Sequence, residues 1–293
     1  MKPARFDYYA PESLDEATAL LAQHGDDARV LAGGQSLIPM MAMRLARPPV
    51  IVDINRIGSL GYITPTADGG LNIGALTRQR AVEESEVVLQ RFPMLSAVLP
   101  HMGHFQIRNR GTIGGSLAHA DPSAELPAFA VATGAQLVLR SSSAQREVAA
   151  EDFFVTYFTT AAETGEMVIE VKLPAPGPGW GWGFEEVCRR HGDFAMTGAM
   201  TRVHLDSNGA CDDSRVVIFG VSGTPVRVES AEGVLVGSNG DTSSLEAAAA
   251  AVSDALDPDS DIHASALYRK EVSGVMARRA LVAAFRRARG EES

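Results

Sequence analysis

Two short glycine-bearing segments offer the most specific chemistry in this sequence. Ala32-Gly33-Gly34-Gln35-Ser36 follows an apolar run and precedes a helix-like turn. Thr112-Ile113-Gly114-Gly115-Ser116 follows the basic stretch Arg108-Asn109-Arg110. Glycine has no Cβ and reaches positive φ, so a ligand can approach paired glycines to within hydrogen-bond distance of the main chain. Successive N–H groups in such a turn form a concave anion site, and a Ser or Thr hydroxyl adds a further donor. A helix beginning just beyond the loop contributes its partial positive charge. One such loop alone reads more readily as an ordinary tight turn. Two of similar composition, far apart in the chain, suit a ligand whose linked phosphates are gripped from both sides. A dinucleotide such as FAD fits that description.

Other chemistries lack their residues. No glycine is followed by lysine, which removes the phosphate-binding G-x4-G-K-[ST] loop, and the G-x-G-x-x-G fingerprint is missing. There is no H-E-x-x-H, and the seven histidines show no metal-ligand spacing with cysteine. The nearest approach to G-x-S-x-G, Gly220-Val221-Ser222-Gly223, has the wrong spacing. Cys188 and Cys211 are too few for a disulfide framework or an iron–sulfur cluster. With 26 Lys+Arg against 36 Asp+Glu, the net charge of −10 argues against general nucleic-acid binding. The segment Met1 to Asp7 has no apolar run after its basic residues, and no stretch of about 18 apolar residues occurs, so a cytoplasmic chain with neither signal peptide nor membrane span is expected.

The 293 residues suggest about two domains at roughly 150 residues each. Ser13 and Glu16 have capping-box spacing and open a helix through Ala17, Leu20 and Leu21 that stops at Gly25. Residues 29–32 and 50–54 read as strands joined by a crossover, which implies a parallel pair. Thr77 is placed to cap a helix through Val82, and residues 92–102 and 125–133 read as further helices. Residues 71–74, 136–139 and 167–171 read as strands, giving an α+β layer with antiparallel pairs. The run Pro174-Ala175-Pro176-Gly177-Pro178-Gly179 marks a domain boundary. Beyond it, strands are expected at 183–190, 199–205, 215–221 and 226–229, then helices at 245–256 and about 264–289.

These residues carry a resemblance. Leu31 to Met41 and Ile107 to Ala118 resemble the two FAD loops of the medium subunit of the molybdenum hydroxylases, the carbon monoxide dehydrogenase and xanthine dehydrogenase family, within the PCMH-type flavin domains. Asp121 to Pro127 resembles the segment that follows, and Arg189 to Ala195 the loop that opens the C-terminal domain. The likeness covers essentially the whole chain in order. It implies an α+β protein in three parts: a βαβ subdomain (1–57), a second α+β subdomain (58–176), and a C-terminal domain of antiparallel strands flanked by helices (177–293). FAD, bound non-covalently, would lie between the first two. The implied site comprises Ala32, Gly33, Gly34, Gln35 and Ser36 on one side, with Thr112, Ile113, Gly114, Gly115 and Ser116 on the other. Glu125, Asp193 and Phe194 complete it. Ser116 stands where many relatives have Asn, and Phe194 where those of the carbon monoxide dehydrogenase type have Tyr. Valine at both Gly33 and Gly114 is expected to abolish flavin binding and leave the fold largely intact.

The implied activity is oxidoreductase electron transfer. A flavin on this chain would receive electrons from [2Fe–2S] clusters on a small partner subunit, fed by the molybdenum cofactor of a large one, and deliver them to an external acceptor. No side chain here is assigned as a catalytic acid or base, and no metal ligand is assigned. A dimer of heterotrimers is the implied assembly. Two alternatives stay open: a self-contained PCMH-type oxidoreductase, and a flavin-free docking subunit whose glycine loops are only turns. Outside the loops the simpler readings are preferred: core and turn for Asp53, satisfied or exposed rings for His101, His104 and His119, a packed thiol for Cys188. Gly74-Ala75 reads equally as a turn or as room for a flavin ring. Arg108 and Arg110 pair locally or balance diphosphate charge. Asp121 and Glu125 accept from ribose hydroxyls or backbone N–H, or cap the helix at 124–133.

Overall fold

Three parallel strands open the fold in the spatial order Asp7–Tyr9, Val50–Asp53, Ala28–Leu31. The computed structural model describes residues 2–291; Met1, part of the N-terminal reading, lies outside them. Val50, Ile51 and Val52 are all buried, as a central strand covered on both faces requires. The expected parallel pair is therefore present. Asp7–Tyr9 extends it, and at three residues it is too short to show an alternating strand pattern. The helix Leu14–His24 begins where Ser13 Oγ accepts from the Glu16 amide at 3.2 Å. Glu16 in turn accepts from the Glu12 amide at 3.0 Å, one residue earlier than a simple capping box.

The second sheet has five strands in the order Ile63–Pro65, Leu71–Gly74, Met167–Leu173, Gln136–Arg140, Gln145–Ala149, every neighbour antiparallel. The helix Glu125–Thr133 is buried along its whole length and ends at Gly134, whose φ of 69° needs the missing Cβ. The reading of one helix over 92–102 is corrected: Glu86–Arg91 and Pro93–Val98 are separate helices, with a 3₁₀ turn over Leu99–His101. Pro93 has no N–H to continue a ladder and restricts Phe92, which leaves the helical region at φ −132°. Thr77 caps nothing. Its hydroxyl donates to the Tyr62 carbonyl at 2.8 Å and accepts from the Tyr62 amide at 3.0 Å, while Arg78 holds the cap position of the helix Gln79–Glu83.

Past residues 174–179 comes a four-stranded antiparallel sheet, Trp180–Cys188, Ala195–Leu205, Cys211–Phe219, Val226–Arg227. The helices Thr242–Ala255 and Ala266–Ala288 cover it, burying Val252, Ala277, Leu281 and Phe285. Strand character over 226–229 is shorter than expected, because Glu229–Leu235 forms a helix that the apolar pattern does not separate from the strand. One apolar core joins the second sheet to this one: Phe153 and Phe129 cluster with Met200, Val217 and Phe219.

Candidate functional site

The two glycine segments, distant in sequence, meet in space. Gly33 is buried against the backbone of the other loop; a Cβ there would lie 2.4 Å from the Arg110 carbonyl oxygen and 2.9 Å from Gly111 Cα. A Cβ on Gly115 would come 3.5 Å from Ala32 Cβ. Gly33 therefore admits one loop to the other, while at Gly115 a methyl group would make only ordinary contact with Ala32. Gly34 adopts φ 73°, which turns the chain from the strand Ala28–Leu31 into the short helix Leu37–Ala42.

The loops differ in what they offer a ligand. Among the described residues, the amides of Gly34, Gln35, Ser36 and Leu37 donate to no protein acceptor, and these residues are at least partly exposed. Ser36 and Ser116 hydroxyls are likewise unpaired. The second loop departs from the expected cradle of open amides. Ile113 N–H donates to the Thr77 carbonyl and Gly114 N–H to the Ala75 carbonyl, each at 3.0 Å. Gly115 N–H donates to Thr112 Oγ1 at 3.0 Å, and Ser116 N–H to the Thr112 carbonyl at 3.1 Å. Thr112, Ile113 and Gly114 are buried, and the accessible members are Gly115 and Ser116. Thr112 is thus the cap of the helix Ile113–His119, and the surface of this loop is a hydroxyl at a helix start.

Gly74-Ala75 opens a turn, closed by the Thr77 N–H on the Gly74 carbonyl at 3.0 Å. A Cβ on Gly74 would strike the Leu60 carbonyl at 2.3 Å, and Ala75 lies beneath Gly114. Arg108 pairs locally, as one of its two readings has it. It is only 7% exposed, chelates Glu83 through Nε and Nη2 at 2.9 and 3.0 Å, and donates to the carbonyls of Met102 and Gly103. Arg110 is exposed and its guanidinium has no hydrogen-bonding partner among the described residues.

Asp53 turns out to be part of the frame. It accepts from Tyr8 Oη at 2.6 Å and from the Asn55 amide at 2.9 Å. Burial raises its pKa, but these bonds and the Arg110 charge outweigh it and hold the carboxyl below its usual value. Asn55 Nδ2 donates to the Ala32 carbonyl at 2.7 Å, tying the strand end to the first loop. Composition and spacing give no sign of Asn55 or of Arg78, because their partners are long-range carbonyls; only an Asx-type pattern, Asp53-x-Asn55, hints at the turn.

Glu125 sits at the start of its helix, 4% exposed. Burial pushes its carboxyl up to about 8, and the charges of Glu186 and Asp121 add to this. At neutral pH it is mostly protonated and able to donate, where the sequence reading has a carboxylate that only accepts. The cap position of that helix is Ala124, with no side-chain cap; Asp121 accepts from the Ser123 amide at 2.9 Å instead.

Asp193 accepts from Arg190 Nε at 3.3 Å, and Phe194 is 61% exposed. Neither makes a hydrogen bond or ring contact with the glycine loops among the described residues. Their loop rests on the segment before the second glycine loop: His191 meets His101 edge-on at 5.5 Å, and His101 Nδ1 pairs with Glu186 Oε1 at 2.9 Å. Burial, reinforced by the charges of Glu186 and Asp193, raises the Cys188 thiol, as a packed cysteine should behave.

A loop of open amides, a hydroxyl near a helix start and an exposed arginine without a hydrogen-bonding partner among the described residues are donors of the kind an anionic ligand takes. Comparison with known proteins agrees. Residues 4–176 match the family described as FAD binding domain in molybdopterin dehydrogenase, and residues 182–284 match the CO dehydrogenase flavoprotein C-terminal domain. The chain belongs to this family of FAD-binding oxidoreductase subunits. It is 42% identical over 289 residues to the 6-hydroxypseudooxynicotine dehydrogenase complex subunit alpha of Paenarthrobacter nicotinovorans, covering 99% of this chain and 97% of that one. It is 38% identical over 287 residues to the carbon monoxide dehydrogenase medium chain of Hydrogenophaga pseudoflava, covering 98% and 99%. The solved carbon monoxide dehydrogenase from that organism superimposes with a TM-score of 0.94 at 39% identity, covering 98% of this chain and 99% of that one. No helix among the described residues is long and apolar enough to cross a membrane.

Proposed function

We propose that this chain is the flavin electron-transfer subunit of a molybdenum hydroxylase, working between a small iron–sulfur subunit and a large molybdenum subunit. The complex is a dimer of heterotrimers in the cytoplasm. The observation that carries this reading is the meeting of the two glycine loops, Gly33 against Arg110, with the open amides of Gly34 to Leu37 beside them. Bound flavin supplies redox chemistry that exchanges electrons singly with clusters and in pairs with acceptors.

The residues of this chain bind and orient. Gly34, Gln35 and Ser36 hold one phosphate through main-chain donors; Gly115 and Ser116 face the other, with Ala32, Gly33, Thr112, Ile113 and Gly114 shaping the cleft. Glu125, protonated at neutral pH, would offer the bound cofactor a hydrogen-bond donor. Asp193 and Phe194 sit on a loop that shields the ring face. The units are 1–57, 58–176 and 177–293, and the flavin is held without a covalent link. The purified chain should show an absorbance band near about 450 nm, or take up added FAD to one equivalent. Iron and molybdenum should co-purify with it from its native host. A colourless chain that takes up no FAD would defeat this reading.

A further inference from the structure

Two linked side chains, Arg78 and Asn55, span the two glycine loops. Arg78 Nη1 donates to the Arg110 carbonyl at 2.6 Å, two residues ahead of Thr112. Its Nη2 donates to Asn55 Oδ1 at 2.7 Å, and Asn55 Nδ2 continues the line to the Ala32 carbonyl, also at 2.7 Å. The Arg78 backbone reinforces it through an isolated antiparallel bridge to Thr112, and the next residue, Gln79, donates its amide to the Gly111 carbonyl at 2.9 Å. Asn55 also donates to Asp53 Oδ1 at 2.6 Å, and Tyr8 holds the other oxygen of that carboxylate. The connection therefore runs unbroken from the first strand, through Asp53, Asn55 and Arg78, to both loops.

We propose that Arg78, acting through Asn55, is a positioning residue that sets the separation of the two glycine loops for the diphosphate of FAD. This rests on the flavin reading above and deepens it. The two acceptors lie in different directions from the guanidinium, which a planar fork of donors satisfies at once and a single ammonium does not. Arg110 lies close enough for its charge to oppose that of Arg78, and Asp53 is the carboxylate that balances them. Two cations against one carboxylate leave positive charge at the rim, where a diphosphate would compensate it.

The test titrates FAD into the flavin-stripped full chain, following flavin fluorescence, for wild type, Arg78→Met, Arg78→Lys, Asn55→Ala, the Arg78→Met/Asn55→Ala double variant and Arg80→Met. Arg80 serves as a control because it pairs with Glu83 and Glu84. Arg78→Met and Asn55→Ala should each raise the FAD Kd by about tenfold or more, the loss of a charge-assisted bond. The double variant should be no worse than the weaker single, since both break one line. Arg78→Lys should fall between wild type and Arg78→Met, and Arg80→Met should match wild type. The stripped variants should melt close to stripped wild type while losing most of the rise in melting temperature that FAD confers. Wild-type affinity in Arg78→Met, additive losses in the double variant, or a matching collapse of the stripped protein's melting temperature would each overturn the proposal alone. No FAD uptake by wild type would instead overturn the flavin reading and this proposal with it.

Discussion

Gly33 and Arg110 meet main chain to main chain, with room for a hydrogen and not for a methyl group: a Cβ on Gly33 would lie 2.4 Å from the Arg110 carbonyl oxygen. The neighbour is backbone and cannot swing aside. The expectation that valine at Gly33 and Gly114 leaves the fold largely intact is therefore corrected, since a Cβ on Gly114 would lie 2.5 Å from Ala75 Cβ. Gly33→Ala alone should lower stability by about 1–3 kcal/mol, the range for overpacking a filled site, and should also release the flavin. Urea unfolding of the flavin-stripped protein separates the two effects. A wild-type midpoint would show that the loops are free to part.

Arg108 has the opposite lesson. Its position next to the second loop suggests phosphate, yet its donors go to Glu83 and to the carbonyls of Met102 and Gly103. Arg108→Met should cost about 2–3 kcal/mol, because a half-buried carboxylate loses one of its two cationic partners and two carbonyls lose a charged donor. The salt bridge from Arg80 to Glu83, at 3.1 Å, keeps the loss from being larger. Flavin affinity, measured where the variant is fully folded, should stay within about twofold of wild type. A large drop in affinity without loss of stability would return Arg108 to the binding site.

Much of this was legible wherever a residue acts through its neighbours in sequence. Gly134 stops the helix Glu125–Thr133 where the pattern says it should, and the Pro/Gly run at 174–179 separates the strands Met167–Leu173 and Trp180–Cys188. Pro93 and Pro100 break the segment 92–102 because each removes a donor, which an apolar periodicity alone does not register. The loops were legible as residues and not as a geometry. That the amides of Ile113 and Gly114 are already bonded depends on Thr77 and Ala75, brought alongside by the fold. Arg78 and Asn55 were invisible for the same reason: their partners are carbonyls of distant residues, which carry no sequence signature.

Glu125 makes stability depend on pH. Its carboxyl is raised from 4.5 to about 8, chiefly by burial. A group raised in the folded state contributes stability that is full below its unfolded pKa and is lost as pH rises toward its folded value. Across about pH 4.5 to 8 the unfolded chain loses this proton while the folded chain keeps it, so stability should fall through that window and flatten above it. Glu125→Gln should remove most of this slope. Melting temperatures of the two proteins compared across the window decide it, and equal slopes would show that Glu125 ionises freely where it stands.

Phe194 is exposed, and its loop is held from below by His191 on His101 and by His101 on Glu186. An aromatic ring left open to water on a braced loop contributes little to folding, so Phe194→Ala should change stability by less than about 0.5 kcal/mol. If the loop covers the flavin, the same change removes a stacking surface and should weaken FAD binding several-fold, with a gain in the fluorescence of what stays bound. Phe194→Tyr should keep the affinity, since the ring is retained and only a hydroxyl is added. His101→Ala supplies the complementary result: it removes the prop and leaves the ring, so its FAD affinity should fall toward that of Phe194→Ala. Unchanged affinity and fluorescence in both Phe194→Ala and His101→Ala would place this loop away from the flavin.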